Sequence, residues 1–118
     1  MAGLELDPHH QQGRRFRLDS FSIPDAARDD FDAAMKRNLA FIRTLPGFRG
    51  HVVFEKRVGD STFNLVTLAA WESQEALDHA GAEVRAFYGR IGFDMAATLQ
   101  GWGVELVRAD YDAPPSLQ

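Results

Sequence analysis

The amino-acid sequence predicts one α+β domain with four strands and two main helices. Three kinds of observation support this fold class: strand-like alternation, helical spacing of apolar residues, and turn-forming segments between them. Strands are expected at residues 15–23, 50–57, 63–71 and 104–109. The resulting order is β-α-β-β-α-β, the ferredoxin-like arrangement, in which two helices cover one face of an antiparallel sheet.

The length of 118 residues is sufficient for one hydrophobic core and too small for two. We therefore predict one folded domain over residues 15–111. Residues 1–14 are polar and lack the apolar stretch of a signal peptide, and residues 112–118 contain two adjacent prolines and no periodicity. Both segments are expected to be loosely ordered tails.

Composition excludes several classes of function. The chain has 13 Lys and Arg against 17 Asp and Glu, a net charge of −4, whereas proteins that bind nucleic acid need a concentrated basic face. The absence of cysteine excludes disulfides and thiol chemistry, so we expect a cytoplasmic protein. The longest apolar stretch, residues 63–71, is too short to span a membrane, and no membrane partner is expected.

The first helix is predicted to start near Pro24 and to end at Leu45, where Pro46 disfavours further helix. Apolar residues recur at helical spacing along one face, and Asn38 interrupts that face. A buried amide needs a hydrogen-bond partner or must reach a cavity, so Asn38 has either a structural role or a site role.

The second helix is expected to begin near Gln74, with Ser73 as its N-cap. A break or kink is predicted at Gly81, because glycine is a poor helix former. Beyond Gly92 a short helical piece is expected from Met95, before the last strand.

The third strand, residues 63–71, is apolar on both of its faces. A strand of this kind has to be covered on both sides. Two helices cover one face only, so we predict a homodimer in which the sheets of two copies cover each other. The predicted helix-facing residues are Leu65, Thr67, Ala69 and Trp71, and the predicted partner-facing residues are Val66, Leu68 and Ala70.

The sequence contains no motif that identifies a particular reaction. His51 and His79 are isolated in sequence, so no metal site is predicted. The chain has neither a nucleophile elbow nor a dinucleotide-binding glycine motif, and no cofactor is predicted. RNA-recognition domains share the order of elements, but residues 63–71 lack their basic and aromatic motif.

A pocket between the sheet and the helices is the remaining place for chemistry. Trp71 ends the third strand on the side of Thr67, and its ring either lines a cavity or fills the core. His51 faces the helices or the partner, depending on the length of the turn after it, since a slip of one residue reverses every side chain. Tyr88 on the second helix lies either at a surface or beside a substrate.

Three segments resemble the antibiotic biosynthesis monooxygenase family. They are residues 38–48, which end in Leu-Pro-Gly-Phe, residues 65–77, which contain Trp-x-Ser-x-Glu-Ala, and Gly-Phe-Asp at residues 92–94. The resemblance covers about residues 15–111. It implies a dimeric α+β barrel, and some members oxygenate phenolic or polycyclic substrates without metal or flavin.

The function implied by this resemblance is a cofactor-independent monooxygenase that acts on an electron-rich small aromatic or polycyclic substrate, with dioxygen as co-substrate. The catalytic residues would be Trp71, Asn38, Thr67 and His51, and the substrate-binding residues would be Phe48, Tyr88, Phe41 and Met35. The alternative is a small-ligand-binding or stress-related dimer without turnover. A haem-degrading oxygenase is disfavoured, because that branch implies an Asn on the first strand and a His late in the second helix, and residues 15–23 and 83–90 offer neither.

Overall fold

A computed structural model describes residues 13–117 of the chain. Four strands form one antiparallel sheet in the order β2-β3-β1-β4, which confirms the predicted fold class. The strands are β1 (Arg15–Ser22), β2 (Phe48–Glu55), β3 (Leu65–Trp71) and β4 (Glu105–Tyr111). The predicted N-terminal tail, residues 1–14, lies outside the described residues except for Gly13 and Arg14.

Three α-helices connect the strands and pack on the inner face of the sheet. They are α1 (Arg28–Ile42), α2 (Gln74–Ile91) and α3 (Met95–Trp102), and short 3-10 turns lie at Asp25–Ala27 and Pro115–Leu117. No helix within residues 13–117 is long and apolar enough to cross a membrane.

The first helix is shorter than predicted at both ends. Its first turn is the separate 3-10 turn, and beyond Ile42 the amides of Thr44 and Leu45 bond three residues back instead of four. The Thr44 hydroxyl also donates to the Phe41 carbonyl, at 2.6 Å. These bonds tighten the chain into a turn before Pro46, so Leu45 is buried but is not helical.

The predicted interruption of the second helix at Gly81 is wrong, because α2 is continuous through this residue. Leu77 and Ala80 before it are buried against Trp71, and Val84 after it packs on the same cluster. Burial of this face outweighs the helix-propensity cost of a single glycine, about 1 kcal/mol. Ser73 caps the helix as predicted, accepting a hydrogen bond from the Ala76 amide at 3.1 Å.

Two hydrophobic clusters lie at opposite ends of β3. Leu65 at one end packs with Phe21 and Phe31 in the first cluster, and Trp71 at the other end packs with Leu77 in the second. The inner-face positions between these ends carry the small side chains of Thr67 and Ala69, the latter at the edge of the second cluster. A space therefore remains above the middle of the sheet, because the side chains there are small and those at both ends of β3 are large.

Strand register determines which side chains face the helices. Thr67 is opposite Asp19 of β1, and Ala69 is opposite His51 of β2, so these side chains share one face. This parity confirms that Thr67, Ala69 and Trp71 point toward the helices. It also places His51 on the helix side, a choice that the sequence alone left open.

The turn between α1 and β2 should be intolerant of a side chain at Gly47. Its φ is +83°, and a β-carbon there would lie 2.4 Å from the Ala76 β-carbon at the start of α2. Gly47→Ala therefore combines left-handed backbone strain of about 1–3 kcal/mol with a steric clash, and we expect a loss in the free energy of unfolding of at least that size.

Urea denaturation of the Gly47→Ala variant measures this loss. Gly89→Ala is the matched control, because Gly89 lies within α2 and has open space around it, so alanine should raise stability by up to about 1 kcal/mol. Equal stability of Gly47→Ala and the wild type would contradict the close packing of this turn on α2.

Candidate active site

A cavity of about 240 Å³ lies between the inner face of the sheet and the three helices. Strands β1, β3 and β4 form its floor, and α1, α2 and α3 cover it. Most of its lining is apolar, with Met35 and Ile42 from α1 and Val84 from α2 among the larger side chains. A mainly apolar cavity with a few polar groups is the usual form of a small-molecule site.

Five of the residues predicted for the site line this cavity together. Asn38 and Met35 come from α1, Thr67 and Trp71 from β3, and Tyr88 from α2. The other three predicted residues lie outside the lining. Phe48 and Phe41 pack on the second cluster, and Phe41 stacks on Phe87 with 4.2 Å between ring centroids. His51 lies near Phe48, with 6.2 Å between their rings.

Trp71 is both a core residue and a cavity wall. Its side chain is 4% exposed and packs edge-to-face on Phe48, with ring centroids 5.3 Å apart. The indole N–H has no hydrogen-bond acceptor among residues 13–117. A buried indole usually finds an acceptor. Because Trp71 lines the cavity, a ligand bound there could supply the acceptor that the protein does not.

Asn38 combines the two roles that its sequence position suggested. The residue is 6% exposed, and its Oδ1 accepts a hydrogen bond from Arg37 Nε at 3.1 Å. That bond holds the amide in place at the cavity wall. Within residues 13–117 the Nδ2 group donates to no acceptor, so Asn38 carries a second unpaired donor on a residue that lines the cavity.

Sequence reasoning missed an ion pair on the cavity floor. Arg108 of β4 binds Asp19 of β1 through two hydrogen bonds, Nε to Oδ1 at 2.8 Å and Nη2 to Oδ2 at 2.9 Å. The hydrogen bonds that Arg108 donates to the Asp19 carboxylate raise the pKa of Arg108 above its ordinary value. One signal was present in the sequence. Arg17 and Asp19 put two charges on the same side of a strand that lies in the interior of the sheet.

Tyr88 lies close to this ion pair and is held by aromatic packing. Its ring packs edge-to-face on Phe93 at 5.0 Å, and the Arg37 guanidinium lies 4.4 Å from the Phe93 ring centroid. Burial raises the pKa of the Tyr88 phenol, although the charges of Arg108 and Arg37 act in the opposite direction. The phenol is therefore neutral near pH 7 and can donate a hydrogen bond at the cavity.

Solved structures of oxygenases share this architecture. SnoaB, a cofactor-independent oxygenase from Streptomyces nogalater, is 22% identical, with a TM-score of 0.66 over 86% of this chain and 94% of that chain. A Nitrosomonas europaea protein, described provisionally as an antibiotic biosynthesis monooxygenase, is 12% identical, with a TM-score of 0.62 over 86% and 90% of the chains. The chain has the fold of the antibiotic biosynthesis monooxygenases.

Another structure with the monooxygenase fold, from Shewanella loihica and described provisionally as a monooxygenase, is 16% identical, with a TM-score of 0.66 over 86% and 95% of the chains. No protein-family model matches the chain, and no curated protein matches it in sequence. At these identities the likeness establishes the fold. The role of each residue has to follow from the geometry of the cavity.

The two histidines within residues 13–117, His51 and His79, do not line the cavity. His79 is on an exposed part of α2, 3.9 Å from Glu83, and does not line the cavity. Residues 13–117 contain no group of three or more His, Cys, Asp or Glu side chains that could hold a metal ion. The polar groups at the cavity are instead the donors of Asn38, Thr67, Trp71 and Tyr88, three arginines and the Asp19 carboxylate.

His51 should make the stability of the protein sensitive to pH. Its Nδ1 is buried without a hydrogen-bond partner in the described part of the chain, and its Nε2 lies 3.3 Å from Arg43 Nη2. Burial, followed by the charge of Arg43, lowers the pKa of His51 below the ordinary value of 6.5. The unfolded chain therefore takes up the proton more readily, and stability present above pH 6.5 decreases as the pH falls below it.

We expect the free energy of unfolding to decrease between pH 7.5 and 5.5, and to decrease less in His51→Gln. Urea denaturation at the two pH values measures this difference. His79→Gln, which removes an exposed histidine, should keep the wild-type decrease. The same decrease in wild type and His51→Gln would show that His51 is not the group responsible.

Proposed function

We propose that the protein is a cofactor-independent monooxygenase that acts in this cavity on an electron-rich, phenol-like or quinol-like aromatic or polycyclic substrate. The observation that supports this most is a pair of donors without protein partners in the described part of the chain, Asn38 Nδ2 and the Trp71 indole N–H, on two residues that line a mainly apolar cavity. Further support comes from the likeness in fold to SnoaB, which is described as a cofactor-independent oxygenase.

For this reaction the protein mainly has to stabilise and orient the anion of the substrate. Dioxygen in its triplet ground state reacts slowly with ordinary organic molecules, but a phenolate or enolate can transfer an electron to it. The substrate radical and superoxide then combine to form a C–O bond. Replacement of a CH₂ group by C=O consumes one O₂, places one oxygen atom in the carbonyl, and releases the other as water with both hydrogens. No external reductant is required.

The cavity residues would favour the substrate anion. Asn38 Nδ2 and the Thr67 hydroxyl are donors that can bind a phenolate oxygen, and such charge-assisted hydrogen bonds stabilise the anion relative to the phenol. The apolar walls exclude water, which strengthens these bonds. Trp71 would hold the aromatic plane of the substrate, and its N–H is a third donor.

Oxygen uptake tests this function. With a panel of anthrones and quinols on metal-free protein, we expect uptake above the rate of autoxidation without protein. Asn38→Ala should lower kcat/KM by about tenfold or more, since a hydrogen bond to a charged group contributes about 1.5–3 kcal/mol. Trp71→Phe should also lower it, through loss of the N–H and of part of the wall.

Lys36→Ala is the matched control for the α1 substitution, because Lys36 is on the same helix, is exposed and does not line the cavity. Its activity should equal that of the wild type. Uptake no faster than autoxidation across the panel would refute the oxygenase proposal and favour a ligand-binding protein without turnover.

We also propose that two copies form a homodimer through the outer face of the sheet. Phe54, Val107 and Tyr111 are 53%, 50% and 51% exposed, and strand register puts all three on the face opposite the helices. Of the residues predicted to meet the partner, Val66 and Leu68 are partly exposed, but Ala70 has no exposed surface within the single chain. A contiguous apolar face of this kind is expected to be covered.

The dimer is tested by sedimentation equilibrium. Phe54→Asp places an unpaired charge in the proposed contact and should convert the dimer to monomer at micromolar concentration. Val58→Asp is the control, because Val58 is 91% exposed in the loop between β2 and β3, and it should leave the mass unchanged. A wild-type mass equal to one chain would contradict the proposal.

A further inference from the structure

The charge of the cavity differs from the charge of the chain. The chain carries a net charge of −4, yet three arginines and one carboxylate line the cavity: Arg17, Arg85, Arg108 and Asp19. Arg17 is paired with Asp110 at 2.8 Å, and Arg108 is paired with Asp19. Arg85 is exposed, and no carboxylate within residues 13–117 forms an ion pair with it. A cavity with excess positive charge favours an anionic ligand.

The geometry of Arg108 leaves donors for such a ligand. Asp19 engages Nε and Nη2, which fixes the plane of the guanidinium by a two-point contact. A guanidinium has five N–H groups, so the edge formed by Nη1 and the second hydrogen of Nη2 stays available. No acceptor among the described residues occupies that edge. Asp19, which is 9% exposed, thus acts as a positioning residue for Arg108.

The free edge of Arg108 and the Thr67 hydroxyl come from different strands. Thr67, Asp19 and Arg108 are directly opposite one another in register across β3, β1 and β4. Adjacent strands are about 4.8 Å apart, so the backbones at Thr67 and Arg108 are separated by roughly 10 Å, and the guanidinium of Arg108 reaches back to Asp19 between them. A ligand that meets both Thr67 and Arg108 therefore has to carry two polar substituents.

We propose that the substrate carries a carboxylate in addition to the oxygen that becomes the phenolate, and that Arg108 and the Tyr88 hydroxyl bind this carboxylate. The inference rests on the proposed function for the location of the reacting oxygen, and it adds a class of substrate: an aromatic acid. Asp19 holds Arg108 in the orientation that accepts this anion, and Arg85, which is exposed, adds only a charge screened by solvent.

Binding of a matched pair of unreactive compounds tests the proposal. 2-Naphthoate and 2-naphthamide have nearly the same shape and differ in charge. Both tryptophans of the chain, Trp71 and Trp102, line the cavity, so quenching of tryptophan fluorescence reports its occupation. We expect the wild type to bind the carboxylate about tenfold more tightly than the amide, or more, with a preference that decreases as salt is added.

Arg108→Gln should abolish the preference and leave the affinity for the amide within about twofold. Because this change leaves Asp19 buried without its partner, the double variant Asp19→Asn/Arg108→Gln provides a second test with no unpaired charge, and it should show the same loss. Arg49→Gln removes an arginine whose partner is Glu72 and which does not line the cavity, and it should retain the preference.

Two results would overturn the proposal: equal affinity of the wild type for the two compounds, including failure to bind either, or survival of the preference in the double variant. The measurement requires neither dioxygen nor turnover, so its outcome is independent of oxygen uptake. If the oxygenase proposal failed, selective binding of the carboxylate would still be observed. If the carboxylate site were absent, uptake with neutral quinols would still be observed.

Discussion

Antiparallel pairing of β1 with β3 is the constraint from which the site follows. In this register Thr67 pairs with Asp19 and Leu65 pairs with Phe21, so every second side chain of both strands points to the inner face. A slip of one residue would send these side chains to the opposite face. The ends of that face are filled by large apolar groups and its middle by small ones, which is why a cavity lies above the central strands with walls formed by both end clusters.

The cavity leaves polar groups of the protein without protein partners. The donors of Asn38 and Trp71 have none in the described part of the chain, whereas the fully buried side-chain atom without a partner there is a different one, His51 Nδ1. The two donors at the cavity therefore keep some contact with the cavity space. Water or a ligand in the cavity would satisfy them. Unpaired groups of this kind are expected where a protein binds something.

Local patterns predicted the fold and part of the site. Alternation in residues 63–71 identified both faces of β3, and the interruption of an apolar helical stripe identified Asn38. The pairing of Asp19 with Arg108 escaped prediction, because it joins strands that are far apart in sequence and depends on a register that only the folded sheet defines. The continuity of α2 through Gly81 escaped it too, since burial of the neighbouring residues outweighs local propensity.

Gly81 has a further consequence for how this architecture can diversify. It lines the cavity from the helix side, and a β-carbon there would meet its nearest neighbour, Arg85 Nη1, at an ordinary contact distance of 3.5 Å. The backbone is helical, so a side chain is tolerated without strain and would even favour the helix. In related chains a larger side chain at position 81 could therefore narrow the cavity, while the polar groups on the sheet stay in place. Substrate size and reaction chemistry can change independently in such a protein.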